Sequence, residues 1–234
     1  MKTAIIVPTY NERENILFLI DILRKRYPEF DLLVIDDNSP DMTYEVVREF
    51  SMRDDKVKLL FRERKEGLGR ALCSGYRYSM ANGYQRLIQL DADFSHPPEY
   101  IDLILKGLNS AGLVIASRNI AGGGVENWSL FRILVSRLAN LATSIMLRLG
   151  VRDATSGFRG FSRDFIEDFI KKGPISRGYI IQVETTFYAR RLGYGIKEVP
   201  FIYRERERGK SKLDIKEVLI SVFTLIRLAF KRCN

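Results

Sequence analysis

Leu87-Ile88-Gln89-Leu90-Asp91-Ala92-Asp93 is a short, mostly apolar run that stops on two carboxylates. A run of this length with so sharp a polar switch reads as a buried strand followed by a loop. In an extended segment residues i and i+2 point the same way, so Asp91 and Asp93 share one side. Two carboxylates on one side suit a hard divalent cation such as Mg²⁺. Such an ion takes one or two carboxylates and completes its shell with phosphate oxygens and water. Asp-x-Asp also occurs as a capping or turn sequence. Its place behind a buried-type strand favours the metal and diphosphate reading.

Upstream of this stretch the chain repeats a strand–helix rhythm. Ala4–Val7 is an apolar run ended by Pro8, and Asn11–Arg26 reads as a helix with Ile16, Leu19, Ile20 and Leu23 on one face. Leu32–Ile35 ends on Asp36-Asp37-Asn38-Ser39-Pro40-Asp41, with a helix over Thr43–Phe50. Val57–Phe61 is a third strand, with a helix over Gly67–Met80. This alternation predicts an α/β fold with a mostly parallel, doubly wound sheet and helices on both faces. Ligands of such sheets bind outside the carboxyl ends of the strands. Pro8-Thr9-Tyr10-Asn11-Glu12, Asp36-Asp37-Asn38 and Asp91-Ala92-Asp93 therefore converge on one edge, as one site built from three loops.

Downstream, Leu113–Ala116 reads as a fifth strand, followed by Arg118 and the loop Gly122-Gly123-Gly124. A long helix is predicted over Ser129–Leu149, with an apolar stripe from Phe131 to Leu149 at 3.6-residue spacing. A strand over Gly157–Phe161, a helix near Gln182–Leu192 and a strand near Lys197–Tyr203 follow. The basic loop Arg204–Lys212 leads to a last helix over Asp214–Lys231. The two halves are expected to share one sheet. Residues 1–213 are expected to form one domain, with residues 1–95 as its nucleotide-binding half and 96–213 as its second half. Residues 214–234 form an amphipathic helix.

Composition narrows the function classes. With 38 Lys+Arg against 29 Asp+Glu, the 234-residue chain carries +9, so an anionic partner is expected. Two cysteines are too few for a disulfide scaffold and suit a reducing compartment. A single histidine, His96, argues against a His-rich metal site. It precedes Pro97-Pro98 and reads as structural. No secretory signal opens the sequence, and no stretch approaches the roughly 20 apolar residues that span a bilayer. The nearest, Val218–Ile226, is flanked by Glu217 and Arg227, so the protein is expected to be soluble or peripheral. The charge also admits a nucleic-acid binder, but no recognition motif is present and the acidic strand ends would go unexplained.

Other motifs are less decisive on their own. Asp37 at a strand end suits ribose or base contacts, and an Asx turn is the plainer reading. Gly67-Leu68-Gly69 is not a dinucleotide fingerprint, because Leu72 stands where the third Gly belongs. Loop packing and substrate contact explain it equally well. Arg204, Arg206, Arg208, Lys210 and Lys212 alternate with Glu205, Glu207, Gly209 and Ser211, which puts five cations on one face if extended. Such a row suits a multi-anion ligand. Arg132 and Ser136, at i and i+4 off the apolar stripe, suit a second phosphate. Trp128 fits an apolar groove or the core. The last helix fits a membrane interface or the protein body.

In one order the chain carries Pro8-Thr9-Tyr10-Asn11-Glu12, Asp36-Asp37-Asn38-Ser39-Pro40-Asp41, Asp91-Ala92-Asp93, Ser117-Arg118, Glu126-Asn127-Trp128, Asp153-Ala154-Thr155-Ser156-Gly157-Phe158 and Gly209-Lys210-Ser211-Lys212-Leu213. This set resembles the dolichol-phosphate (polyprenol-phosphate) mannosyltransferases among the family-2 inverting glycosyltransferases. The likeness runs from Ile5 to about Leu213, and its last two motifs point to the polyprenyl-phosphate branch. The resemblance implies a GT-A fold, GDP-mannose as donor, dolichyl or polyprenyl phosphate as acceptor, and Mg²⁺ or Mn²⁺. It implies that Pro8, Tyr10, Glu12, Asp37 and Ala92 hold the nucleotide, and that Asp91 and Asp93 bind metal and diphosphate. Arg118, Arg132, Ser136, Arg206, Arg208 and Lys212 are expected to bind phosphates, with Arg118 and Arg208 counted with the catalytic set. Some relatives have Gln where Ser95 stands. The resemblance further implies a peripheral place on the cytoplasmic face of a membrane, a small membrane partner subunit as in some members, and no nucleic acid. An acceptor phosphate is already anionic, so positioning and charge neutralisation are needed and no protein base is expected. A UDP-glucose enzyme acting on the same acceptor class shares these features.

Overall fold

The computed structural model describes residues 1–205 and 215–230. A seven-stranded sheet runs in the order β3-β2-β1-β4-β7-β5-β8. Its strands are β1 (Thr3–Thr9), β2 (Asp31–Asp36), β3 (Val57–Phe61), β4 (Arg86–Gln89), β5 (Leu113–Ser117), β7 (Arg159–Ser162) and β8 (Ile196–Pro200). Two short strands, β6 (Gly124–Val125) and β9 (Ile202–Tyr203), pair separately. The helices are α1 (Arg13–Arg26), α2 (Thr43–Arg53), α3 (Leu68–Ala81), α4 (Ile101–Gly107), α5 (Leu130–Met146), α6 (Arg163–Lys171), α7 (Ile181–Arg191) and α8 (Ile215–Phe230).

The apolar runs of β1 and β2 are buried along nearly their whole length, as strands covered on both faces must be. One face packs Ile5, Val7, Leu32 and Val34 against Ile16, Leu19 and Ile20 of α1 and Ile101 and Ile104 of α4. The other packs Ile6, Leu33 and Ile35 against Leu72 and Tyr76 of α3, Phe165 and Phe169 of α6 and Phe187 of α7. The two halves share this one sheet, as expected. The strand order reverses beside β1, between β2 and β4, and that is where a crevice opens in sheets of this kind.

Three features depart from the sequence reading. Helices α4 and α6 were not expected, because each is short and carries only two or three buried apolar positions. The predicted strand near Lys197–Tyr203 is two strands, since Phe201 turns into the core between β8 and β9. Strand β7 is antiparallel to both neighbours, with Gln89 opposite Arg159 and Ile115 opposite Arg159 on the other side. An antiparallel strand begins where its parallel neighbours end. The segment before β7 is therefore delivered to the carboxyl ends of β4 and β5.

Candidate active site

The converging loops enclose a cavity of about 180 Å³ lined by Pro8, Tyr10, Glu12, Asp37, Asp91, Ala92 and Asp93. All the residues expected to hold nucleotide and metal thus meet there. Lys65, Gly67, Leu68, Gly178 and Tyr179 complete the wall. Sequence reading missed Lys65 and Tyr179, which lie in loops with no motif of their own. Lys65 Nζ sits 3.9 Å from the centre of the Tyr10 ring, so a cation faces the cavity mouth. Gly67 adopts φ +96°, and a Cβ there would lie 2.5 Å from the Arg177 carbonyl oxygen. The glycine lets the α3 loop close on the strip that carries Gly178 and Tyr179.

The two adjacent aspartates at the end of β2, Asp36 and Asp37, have different tasks. Asp36 is fully buried and accepts from Thr9 Oγ1 (2.8 Å), Ser39 Oγ (2.6 Å) and Ser39 N (2.9 Å). It knots two loops together. Asp37 faces the cavity and is paired with Arg62 at 2.6 Å, while Glu66 N donates to its other oxygen. Burial pushes the Asp37 carboxyl above its ordinary range, against the pull of Arg62. Glu12 accepts from Asn15 Nδ2 at 2.8 Å, which aims it from the start of α1.

Asp93 Oδ1 accepts from Ser95 N (3.1 Å) and Ser95 Oγ (2.6 Å). Ser95 is therefore an orienting residue for Asp93, buried behind it. Asp91 is fixed through its backbone: its N–H donates to His96 Nδ1 at 3.0 Å. That bond makes Nδ1 an acceptor, so the imidazole is neutral with its proton on Nε2. The ring is buried, stacks on Phe158 (5.2 Å, 17°) and meets Phe201 edge-on. The structural reading of His96 holds, and its role is to anchor the Asp91 backbone. No cluster of three or more His, Cys, Asp or Glu is found among the described residues. Two carboxylates beside a cavity fit a hard cation that takes its remaining ligands from diphosphate and water. Asp91 and Asp93 would hold it.

Arg118 lies just beyond β5, in a buried ion pair. Its Nε and Nη2 donate to the two oxygens of Asp153 at 2.7 and 2.6 Å, and its backbone N donates to Asp153 Oδ2 at 3.0 Å. Arg118 holds the Asp153 carboxyl below its ordinary range against the effect of burial. Glu198 of β8 accepts from the N–H groups of Arg152 and Asp153, pinning the same turn. The fork of Arg118 is thus largely committed within the protein, which sequence reading did not anticipate. Arg118 still lines a second cavity of about 210 Å³ with Asn119, Trp128, Ser136 and Arg137. Arg132 stacks on Trp128 at 3.9 Å and reaches Glu205 at 3.2 Å. Trp128 lines this cavity and meets Tyr203 edge-on, so it belongs to the groove rather than the core. Arg206, Arg208 and Lys212 lie outside the described residues.

Helix α5 turns its apolar stripe outward. Leu130 (86%), Phe131 (77%), Ile145 (67%) and Leu141 (56%) face solvent, and so do Leu134, Val135 and Leu138. Asn140 and Thr143 face the protein. The apolar stripe is therefore not a core face. Asn140 exchanges hydrogen bonds with Thr155, by Nδ2 to Oγ1 (3.1 Å) and by Oδ1 from N (3.2 Å). Those bonds turn the polar side inward. On α8, Leu228 enters the core while Phe223 and Phe230 are exposed. No helix among the described residues is long and apolar enough to cross a membrane.

Comparison with known proteins agrees with this geometry. The family described as glycosyl transferase family 2 matches residues 4–170. Polyprenol monophosphomannose synthase of Mycolicibacterium smegmatis is 36% identical over 226 residues, covering 94% of this chain and 85% of the relative. Undecaprenyl-phosphate mannosyltransferase of Micrococcus luteus is 39% identical over 225 residues, covering 95% and 93%. Among solved structures, glucosyl-3-phosphoglycerate synthase of Mycobacterium tuberculosis with Mn²⁺, UDP and phosphoglyceric acid aligns with a TM-score of 0.72 at 19% identity, covering all of this chain and 80% of that one. A mannosyltransferase of Pyrobaculum calidifontis in complex with GDP-Man and Mn²⁺ aligns with a TM-score of 0.62 at 18% identity, covering 97% and 64%. With its strand-end carboxylates in one crevice and this family match over most of its length, the chain belongs to glycosyl transferase family 2 and is a glycosyltransferase of the GT-A fold.

Proposed function

We propose that this enzyme transfers mannose from GDP-mannose to a dolichyl or polyprenyl phosphate with inversion. The observation that carries the reading is the pairing of a carboxylate-lined cavity with a second, cationic cavity across the Asp153–Phe158 loop. The names of the two curated relatives supply the sugar and the lipid class. Pro8, Tyr10, Glu12, Asp37, Ala92 and Lys65 hold the nucleotide, and Asp91 and Asp93 hold Mg²⁺ or Mn²⁺. When bound, the cation neutralises the diphosphate of the departing nucleotide. Arg118, Arg132 and Ser136 receive the acceptor phosphate, with Arg206, Arg208 and Lys212 as further cations of the same task.

An acceptor phosphate oxygen attacks the anomeric carbon on the face opposite the diphosphate. The carbon–oxygen bond to GDP breaks, and GDP leaves with the electron pair. The nucleophile is already anionic, so the protein supplies orientation and positive charge. The exposed apolar face of α5, with Phe223 and Phe230 of α8, supports a peripheral seat on a membrane, which we place on the cytoplasmic face. A small membrane subunit would strengthen that seat.

The test is a transfer assay with purified protein, Mg²⁺ or Mn²⁺, a short polyprenyl phosphate and labelled GDP-mannose or UDP-glucose in parallel. Label passing from GDP-mannose alone into the organic phase, and lost in Asp91→Ala, is the expected result. Label from UDP-glucose instead overturns the donor assignment.

A further inference from the structure

Among the described residues, Arg159 is the largest fully buried side chain, and no carboxylate forms an ion pair with it. Its guanidinium makes four hydrogen bonds in two directions. Nε donates to Ser156 O and Nη2 to Ala154 O, both at 2.6 Å. Nη1 donates to Thr185 Oγ1 (2.8 Å) and Thr186 Oγ1 (2.9 Å) of α7. Taking a guanidinium out of water is costly, and an apolar side chain would fill the same space without that cost. What an apolar side chain cannot do is hold two carbonyls, two residues apart, at fixed places.

Those carbonyls belong to the loop that runs between the two cavities. At one end, Asp153 grips Arg118 through both carboxylate oxygens. At the other end, Gly157 runs beside the donor carboxylates. A Cβ on Gly157 would lie 3.3 Å from His96 Cε1 and 3.7 Å from Asp91 Oδ1. The Gly157 carbonyl accepts from Gln89 Nε2 at 2.8 Å, and Phe158 stacks on the ring whose Nδ1 receives the Asp91 N–H. Five residues thus link the arginine of one cavity to the carboxylate of the other, and Arg159 holds them from behind.

We propose that Arg159, anchored on Thr185 and Thr186 of α7, is a positioning residue that sets the separation of the donor and acceptor sites by bracing the Asp153–Phe158 loop. This rests on the two-cavity reading above. Its consequence is specific. A loosened brace leaves each cavity able to bind its own ligand but misaligns the two ligands. Misplacement by about 1 Å costs on the order of a hundredfold in rate.

The experiment measures kcat, KM for each substrate, and direct binding of GDP with Mn²⁺ and of a short polyprenyl phosphate, in wild type, Arg159→Lys, Thr185→Val and Thr186→Val. The lysine keeps the charge but cannot span both carbonyls and both hydroxyls. The valines keep the shape and each remove one hydroxyl, which leaves a test in hand if Arg159→Lys does not fold. The expected result is a fall in kcat of tenfold or more for the lysine and of threefold or more for each valine. Both binding constants stay within twofold. Lowered thermal stability with unchanged kcat in the folded variants overturns the proposal. So does a change confined to one substrate's KM. A wild type that transfers nothing from GDP-mannose to the lipid phosphate fails the proposed function instead, whatever the variants do.

Discussion

At the scale of single residues, the site separates groups that face ligand from groups that hold those groups in place. Asp91 and Asp93 face the cavity, while His96 and Ser95 fix them from behind. Asp91→Ala is expected to remove at least 99% of transfer, read as label in the organic phase, with thermal unfolding near that of wild type. Ser95→Ala removes the Oγ bond to Asp93 (2.6 Å) and keeps the backbone N–H bond (3.1 Å). It is expected to weaken metal-dependent activity several-fold, and a raised half-saturating Mn²⁺ concentration checks this. Asp153 is different, because its partner is a buried arginine. Breaking one side of such a pair costs about 3 kcal/mol or more, so Asp153→Asn is expected to lower the unfolding free energy by that amount at pH 7, read by chemical denaturation. The Asp153 carboxyl is held below its ordinary value of 3.8. For an acid depressed on folding, the stabilisation is full above the unfolded value and is lost as pH falls through the folded one. The gap between wild type and Asp153→Asn should therefore stay constant above pH 5 and shrink below pH 3.8. Denaturation curves across that range check it.

At the scale of elements, α5 shows that a regular pattern does not say which way it faces. Its 3.6-residue stripe is real, and Ser129 caps it by accepting from Arg132 N, yet the stripe faces outward. The ordinary rule turns apolar faces inward because water is the only alternative. A lipid surface is another alternative. Leu134→Glu combined with Leu141→Glu is expected to abolish co-sedimentation with anionic lipid vesicles and to leave the melting temperature nearly unchanged, as exposed substitutions do. Turnover of a short, water-dispersed acceptor should persist. Equal vesicle binding by wild type and variant would remove the membrane role of this face. Asn140, on the inner side, is the counterpart. Asn140→Ala strips Thr155 of both its α5 bonds and is expected to cost about 1–3 kcal/mol, read by chemical denaturation.

At the scale of the whole molecule, one sheet carries both cavities, so binding at the crevice should stabilise the fold as a unit. A ligand that binds only the folded state at a hundred times its dissociation constant adds about 2.7 kcal/mol. GDP with Mn²⁺ should therefore raise the melting temperature by several degrees. GDP with a chelator should raise it much less, because the diphosphate then meets Asp91 and Asp93 without a cation between them. Thermal scans with GDP, UDP and neither also rank the two nucleotides directly.

The parallel half of the sheet, the crevice at its strand ends and most of its lining were legible along the chain. Local pattern sufficed there, because each βαβ unit places its polar stop at the same edge whatever the rest of the protein does. Pro8, Asp37, Asp91 and Asp93 needed only that rule. Tertiary structure decided what depended on partners distant in sequence. Lys65 and Tyr179 reach the cavity from loops that only folding brings beside Tyr10 and Asp91. Arg118 spends its fork on Asp153, 35 residues away. The direction of β7, which no periodicity encodes, delivers the Asp153–Phe158 loop to the side of Asp91. The outward turn of α5 is set by two hydrogen bonds to Thr155, which a stripe of apolar residues does not record. Spacing in a sequence fixes which residues share a face. Which way the face points is fixed by the polar contacts on its other side.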